Sequence, residues 1–288
     1  MSDEHHQKSS GLQGSPYKAV ILDPVFHVAS NEFSMLMDQP LTFIVALVIL
    51  VFAVVYAAYN SIAIPQVLSA DNDPSALINF GMENMFWYTT LFCSFLSLCV
   101  GIISISDDRS NGSIRILLTK PLYRRDIVAG KFVGGSLFLI VTVIATLLVS
   151  VSATLITYRG PVPYADLTIR TVSYSLLLSV YCILTLCIAM LIGAFFKDLS
   201  LALVASFSYL YFGLVENVYF SDLGSLSIIN PYSLYWSAFS TPLGKSVFDT
   251  SGPYTSWLSS AMPYIALLLL EIFIVFLLVC AIFNKEEA

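Results

Sequence analysis

Charged residues are scarce in this sequence. Asp, Glu, Lys and Arg make up 11% of its 288 residues and 57% are hydrophobic, which gives a mean hydropathy of +0.82. A soluble domain carries about 25% charged residues, so this composition excludes one. The chain is therefore expected to be an integral membrane protein.

Residues that carry catalysis or bind metals are also few or unsuitably spaced. The five cysteines fall in apolar stretches without a C-x-x-C spacing: Cys93, Cys99, Cys182, Cys187 and Cys280. This pattern indicates neither a disulfide framework nor a zinc site. Residues 243–246 look like the end of a P-loop, but Phe239 stands where the first Gly is needed. The sequence therefore predicts no catalytic residue, metal site or cofactor in this chain, and no nucleic-acid partner.

Long apolar stretches, by contrast, dominate the chain. Six are close to the roughly 20 residues that a bilayer core requires: residues 41–59, 85–106, 132–156, 172–196, 199–215 and 264–283. The fifth is the shortest. The predicted fold class is an all-α integral membrane protein with six transmembrane helices in residues 41–288.

The residues before these stretches divide into two parts. Residues 1–16 are polar and are interpreted as a disordered tail. Residues 17–40 are predicted to form an amphipathic helix at the membrane interface, starting at Asp23-Pro24. Its apolar face would carry Phe26, Ala29, Phe33, Leu36 and Pro40, opposite His27, Ser30, Asn31 and Asp38.

Lys and Arg are distributed unevenly between the two sides of the predicted membrane. With the N-terminus inside, ten of the thirteen lie on the inner side and three, Arg159, Arg170 and Lys245, on the outer side. The excess of positive charge marks the cytoplasmic side. Both termini are therefore expected to be cytoplasmic, in a multi-pass protein of the cell membrane.

One polar stretch, residues 107–131, contains six of the thirteen Lys and Arg residues. Within it, Ile114, Leu117 and Leu118 share one face of a short predicted helix that Pro121 ends. Such a helix next to the bilayer suits docking of another protein, while a charged loop that only fixes topology is equally compatible. Gly130 and Gly134 begin the next span, where they favour either close helix packing or flexibility near the loop.

At these residues the sequence resembles the permeases of ABC-2 type exporters, particularly the NosY-like branch. The residues that carry the resemblance are Asp108, Gly112, Ser113, Leu117, Leu118, Pro121, Arg124, Gly130 and Lys131. Asp108 stands where the family more often has Glu. The resemblance implies that the segment between the second and third spans is a coupling helix that docks on a separate ATP-binding subunit, which would hold the ATP and Mg.

The function implied by the resemblance is that of a permease subunit of an ABC-2 exporter, with no ATPase activity of its own. Two permease chains, as a homodimer among membrane lipids, would assemble with two ATP-binding subunits. Ile114, Leu117 and Leu118 would provide the apolar contact of the coupling helix, and Arg115, Arg124 and Arg125 its charged rim. A secondary transporter or a non-transporting scaffold is the alternative. The lack of an internal repeat argues against the secondary transporter, but the scaffold stays open.

Two further features fall near the outer side and inside the last span. Residues 216–261 are rich in aromatic side chains, among them Tyr232, Tyr235 and Trp257, which favours re-entrant or surface-lying helices or, equally, a lipid-facing aromatic belt. Glu271 is an acidic residue well inside the last predicted span and is expected to face the bundle. It is interpreted either as a protonated structural residue hydrogen-bonded to a neighbouring helix or as a polar point of a transport pathway.

Overall fold

A computed structural model of the chain describes residues 22–67, 74–110, 124–157, 164–196, 198–215, 230–241, 246–249 and 252–285. This part of the chain is helical, apart from an isolated antiparallel bridge between Ser240 and Ser246. The helices are α1 (Leu22–Asp38), α2 (Pro40–Val67), α3 (Pro74–Ser110), α4 (Arg124–Thr157), α5 (Tyr164–Phe195), α6 (Leu199–Val215), α7 (Pro231–Phe239) and α8 (Tyr254–Lys285). The prediction of an all-helical protein is confirmed for these residues, and the predicted tail at residues 1–16 lies outside them.

Five of the helices are long and apolar enough to cross a membrane. Their spanning parts are Thr42–Tyr59 in α2, Met85–Ile105 in α3, Asp126–Ile156 in α4, Tyr164–Phe195 in α5 and Tyr254–Ile282 in α8. The fifth predicted span corresponds to α6, which has 17 residues. At 1.5 Å per residue it is about 25 Å long, shorter than the roughly 30 Å hydrocarbon core. Five of the six predicted spans are thus supported.

The central helix of the bundle is α5. It packs against α3, α4, α6, α7 and α8, so its side chains are buried on several faces. Several of its hydroxyl groups bond to their own helix, as with Thr185, which donates to the carbonyl of Tyr181 at 2.9 Å, and Ser179, which donates to that of Ser175 at 2.7 Å. These bonds allow polar side chains to lie in an apolar interior without a cost for unpaired groups.

Close approach of α3 to α5 depends on Gly101. A Cβ added at this residue would lie 2.6 Å from the Cβ of Ala189 and 2.9 Å from the carbonyl oxygen of Leu186. Small residues at such crossings let helix backbones approach closely in membranes, where van der Waals packing rather than water exclusion holds helices together. Gly101 therefore sets the spacing of the two most buried spans.

The outward faces of α2 and α8 are apolar and exposed. They include Phe43, Leu47 and Val55 on α2 and Phe273 and Leu277 on α8. In a soluble protein such faces would favour aggregation, whereas in a bilayer they match the surrounding hydrocarbon. These two helices therefore lie at the periphery of the bundle.

The amphipathic helix forms as α1, but its packing face differs from the prediction. His27, Ser30, Asn31 and Asp38 are exposed, as expected. Phe26, predicted on the apolar face, is 73% exposed, whereas Ala29, Glu32 and Leu36 are buried. The reason is that the glycines of α4 receive the side chain of Val28 and the backbone of α1 at Ala29, and this contact turns Glu32 inward and Phe26 outward.

Candidate functional site at the junction of α1, α3 and α4

A buried ion pair connects three helices at one end of the bundle. The Nζ of Lys131 on α4 donates to Oε2 of Glu32 on α1 at 3.1 Å and to the carbonyl oxygen of Ser104 on α3 at 2.8 Å. The Ser104 hydroxyl donates to the other carboxylate oxygen, Oε1, at 2.5 Å. The side chains of Lys131 and Glu32 are only 7% and 4% exposed. Both carboxylate oxygens are thus paired, which buried charges require. We call this network the three-helix junction.

The glycines of α4 explain how α1 comes so close. A Cβ at Gly130 would lie 2.6 Å from the Cβ of Val28, and a Cβ at Gly134 would lie 2.6 Å from the carbonyl oxygen of Ala29 and 2.9 Å from the Cβ of Glu32. Because residues four apart share one face of a helix, the two glycines form a groove that receives α1. Of the two roles that the sequence allowed for them, the structure supports close packing.

The junction lies beside the segment predicted to be the coupling helix. Ser104 is six residues before the end of α3, and Lys131 is seven residues after the start of α4. Each is therefore about 10 Å along its helix from residues 111–123, which join the two helices. The helices on both sides of this segment are therefore tied to α1 through the junction.

The predicted docking residues are only partly described. Asp108 lies in the last turn of α3, and Arg124 and Arg125 lie in the first turn of α4. Those within the segment itself fall outside the described residues: Gly112, Ile114, Arg115, Leu117, Leu118 and Pro121. The coupling helix therefore stays a prediction.

A second polar network holds α7 inside the bundle. The hydroxyl groups of Thr90 on α3 and Tyr235 on α7 are 2.8 Å apart, and Thr90 is 2.9 Å from the hydroxyl of Tyr174 on α5. The ring of Tyr235 also stacks on Tyr181, with ring centroids 4.6 Å apart. Since Tyr235 is buried, this part of the aromatic segment packs within the protein and is not a lipid-facing belt.

Arg170 fastens the loop before α8 to the start of α5. Its Nε donates to Asp166 at 2.7 Å, and its two terminal nitrogens donate to the carbonyl oxygens of Val247 at 2.8 Å and Gly252 at 3.1 Å. Arg170 is almost fully buried, and its charge is compensated by the Asp166 carboxylate and by carbonyl dipoles. The loop is thereby fixed at the same end of α5 that contacts α7.

Glu271 lies on the packed face of α8 and is half-buried. Its Oε2 is buried and has no hydrogen-bond partner among the described residues. The hydrogen bond that a purely structural role would supply is therefore not made by this oxygen. Both interpretations of Glu271 remain predictions.

The sequence of the chain matches a known protein family. A family model described as "ABC-2 family transporter protein" matches residues 26–288, which include all the helices from most of α1 to α8. The chain belongs to this ABC-2 family. No curated protein matches it significantly.

Membership places the chain among the membrane components of ABC transporters, which transport and are not themselves catalytic. The five spans accord with a multi-pass location in a membrane. The match does not distinguish the NosY-like branch, so that part of the resemblance stays a prediction. Among the described residues of this ABC-2 permease, no group of three or more His, Cys, Asp or Glu side chains is arranged to hold a metal ion.

The sequence analysis singled out Lys131 through the family resemblance but did not pair it with Glu32 on α1. Buried ionisable groups are almost always paired. Glu32 lies three residues after Ala29 and four before Leu36, on the apolar side of α1, and its position there was therefore the available signal.

Proposed function

We propose that this ABC-2 permease is the transmembrane subunit of an exporter in which a separate ATP-binding subunit drives substrate across the membrane. The observation that carries the proposal is the three-helix junction beside residues 111–123. In the complex, two copies of this chain would assemble with two ATP-binding subunits, which hold the ATP and Mg. Both termini and residues 111–123 would then face the cytoplasm.

The junction would make the ends of α3 and α4 move together with α1. Separating Lys131 from Glu32 would break a buried ion pair, a change that costs about 3–5 kcal/mol in comparable pairs. A force on residues 111–123 therefore shifts the three helices as a block more readily than it separates them. Closure of the ATP-binding subunits would displace this block and shift the bundle between two states.

The ATP-binding subunit would contact residues 111–123 through Ile114, Leu117 and Leu118, with Arg115, Arg124 and Arg125 around them. Apolar side chains at the centre and charged ones at the rim are the usual composition of protein interfaces. Affinity purification of the tagged chain from its native membrane is expected to recover a protein that contains a P-loop.

Replacing Leu117 and Leu118 by Asp tests this contact. The double variant places two charges in the apolar centre of the interface, at a cost of several kcal/mol, but leaves the spans unchanged. The chain is expected to insert normally and to lose the ATP-binding subunit during purification. Thr119→Asp, which adds a charge on the opposite face of the predicted helix, is the matched control and should retain it. Recovery of the subunit with the double variant at unchanged yield would contradict the proposal.

A further inference from the structure

An apolar groove lies between α1, α2 and α4. Its volume is about 190 Å³, and it is bordered by the end of α1 at Leu36 and Met37, by residues 43–50 of α2 and by residues 138–146 of α4. The side chains along it are apolar apart from Thr142 and Thr146. Measured along the helices, these borders are about 10 Å long on both sides. The groove is therefore elongated and runs along the helices from α1 towards the middle of the spans.

Small residues on both sides leave this space unfilled. Ala46 on α2 and Ala145 on α4 face the groove, where larger side chains would close it. Its edges include Phe43 and Val141, which are 60% and 50% exposed and lie within spanning parts of their helices. The groove is thus open on the side that faces membrane hydrocarbon.

The chemistry of the groove disfavours water. The hydroxyl of Thr142 already donates to the carbonyl oxygen of Phe138 at 2.9 Å, and a water molecule needs two to four polar partners. An apolar cavity of roughly 150 Å³ stays dry and binds a hydrocarbon such as benzene. An empty groove would forgo the dispersion contacts of its lining. The molecules available at its opening are membrane lipids, whose hydrocarbon chains could occupy it.

We propose that one acyl chain of a membrane phospholipid occupies this groove as a bound lipid. The lipid would come from the leaflet at the α1 end of α2, because the groove begins at Leu36 and Met37 and runs inwards. The direction of the groove is that of acyl chains in a bilayer. With a volume of about 190 Å³ over a length of about 10 Å, the groove averages about 20 Å² in cross-section, too narrow for a helix of a second copy, which is about 10–12 Å wide with its side chains.

Photolabelling of the full chain tests this site. The purified protein is reconstituted in vesicles of phosphatidylethanolamine and phosphatidylglycerol that contain a phospholipid with a diazirine in one acyl chain. After irradiation and peptide mapping, the label is expected to be enriched at residues 36–50 and 138–146 over the lipid-facing residue Leu148, which is 62% exposed. Ala145→Leu, which fills the groove, is expected to abolish this enrichment. Ile144→Leu, next to it but outside the groove lining, should keep it.

The other occupants give different results. Equal labelling at the groove and at Leu148 would mean ordinary solvation by lipid and would overturn the proposal, as would loss of enrichment in both variants. Disulfide cross-linking between two chains through Ala46→Cys would show that a second copy fills the groove, which also overturns it. Should Ala145→Leu not yield a folded protein, Ala46→Leu fills the groove from α2 and is expected to have the same effect.

Discussion

Lys131 neutralises Glu32 in a place where neither residue reaches water. Lys131→Met would leave the carboxylate of Glu32 buried with Ser104 as its described partner, and is expected to destabilise the chain by about 3–5 kcal/mol. The double variant Glu32→Gln/Lys131→Met removes both charges and should recover part of this loss. Thermal unfolding in detergent measures both, with His27→Ala on the exposed face of α1 as the control. Equal melting temperatures for the single and double variants would show that the ion pair is not what stabilises the junction.

One conservative substitution distinguishes a structural role of Glu271 from a role in the transport pathway. Glu271→Gln keeps the shape of the side chain and some of its hydrogen bonding but removes its ability to ionise. A structural role predicts normal assembly and normal stimulation of ATPase activity by substrate in the complex, whereas a role in the pathway predicts normal assembly with lost stimulation. Glu271→Leu, which also removes the hydrogen bonding, is the companion variant. Normal assembly and activity in it would contradict both roles.

The residues of the site were only partly predictable from the sequence. Lys131 stands out as the last residue of the basic stretch before the third predicted span, and the glycines stand out by their spacing. The pairing with Glu32 spans 99 residues. Nothing in a single sequence indicates which distant acidic residue is the partner of Lys131. The docking residues around Leu117 are predicted from local periodicity and from resemblance, and the described part of the chain does not include them.

The packing of α1 on α4 can be tested by substituting two neighbouring glycines of α4. Gly134→Ala would place a Cβ 2.6 Å from the carbonyl oxygen of Ala29, a backbone atom that moves only if α1 moves. Gly135→Ala would meet the flexible side chain of Leu186 at 3.3 Å, which can shift slightly. The first change is expected to loosen α1 and raise its rate of amide hydrogen exchange, and the second to leave it unchanged. Unaltered exchange in Gly134→Ala would argue against the close packing.

The existence of a whole helix was predictable where a long apolar run specifies it. The five long spans follow from runs of apolar residues, because a bilayer accepts little else. The rotation of α1 does not follow from its own periodicity, since Phe26 and Ala29 both fit an apolar face and the groove in α4 selects Ala29. The position of α7 was likewise open, because Tyr232 and Tyr235 suit a membrane interface and a protein interior equally well. Their partners on α3 and α5 place them in the interior.

For the whole molecule, the proposed orientation rests on the distribution of Lys and Arg. A cysteine at Asn72→Cys, between α2 and α3, is expected to react with a membrane-impermeant maleimide added to intact cells, and one at Asn111→Cys is not. Of the five natural cysteines, Cys93, Cys182 and Cys187 are buried and Cys99 and Cys280 are partly exposed, so labelling is compared with that of the unsubstituted chain. Labelling at residue 111 with protection at residue 72 would contradict the proposed orientation. Residues 111–123 would then lie on the side of the membrane away from cytoplasmic ATP.

The contacts of α5 connect the two ends of the molecule. This helix packs on α3 and α4, which contribute to the three-helix junction, and on α7 and α8, and Arg170 binds it to the loop that precedes α8. A displacement that begins at the junction therefore has a continuous packed route to the opposite end.

The separation of Glu32 and Lys131 in sequence has a consequence for biosynthesis. The two residues are 99 positions apart, and ribosomes add roughly 5–20 residues per second, so Glu32 waits on the order of 5–20 seconds for its partner. During this time α1 has neither the glycine groove nor the ammonium group that bury its carboxylate. We therefore expect the helix to remain at the membrane surface, with Glu32 hydrated, until α4 has been inserted. Docking of α1 is then expected to be a late step in the maturation of the nascent chain, although α1 is the first helix of the described chain to be translated.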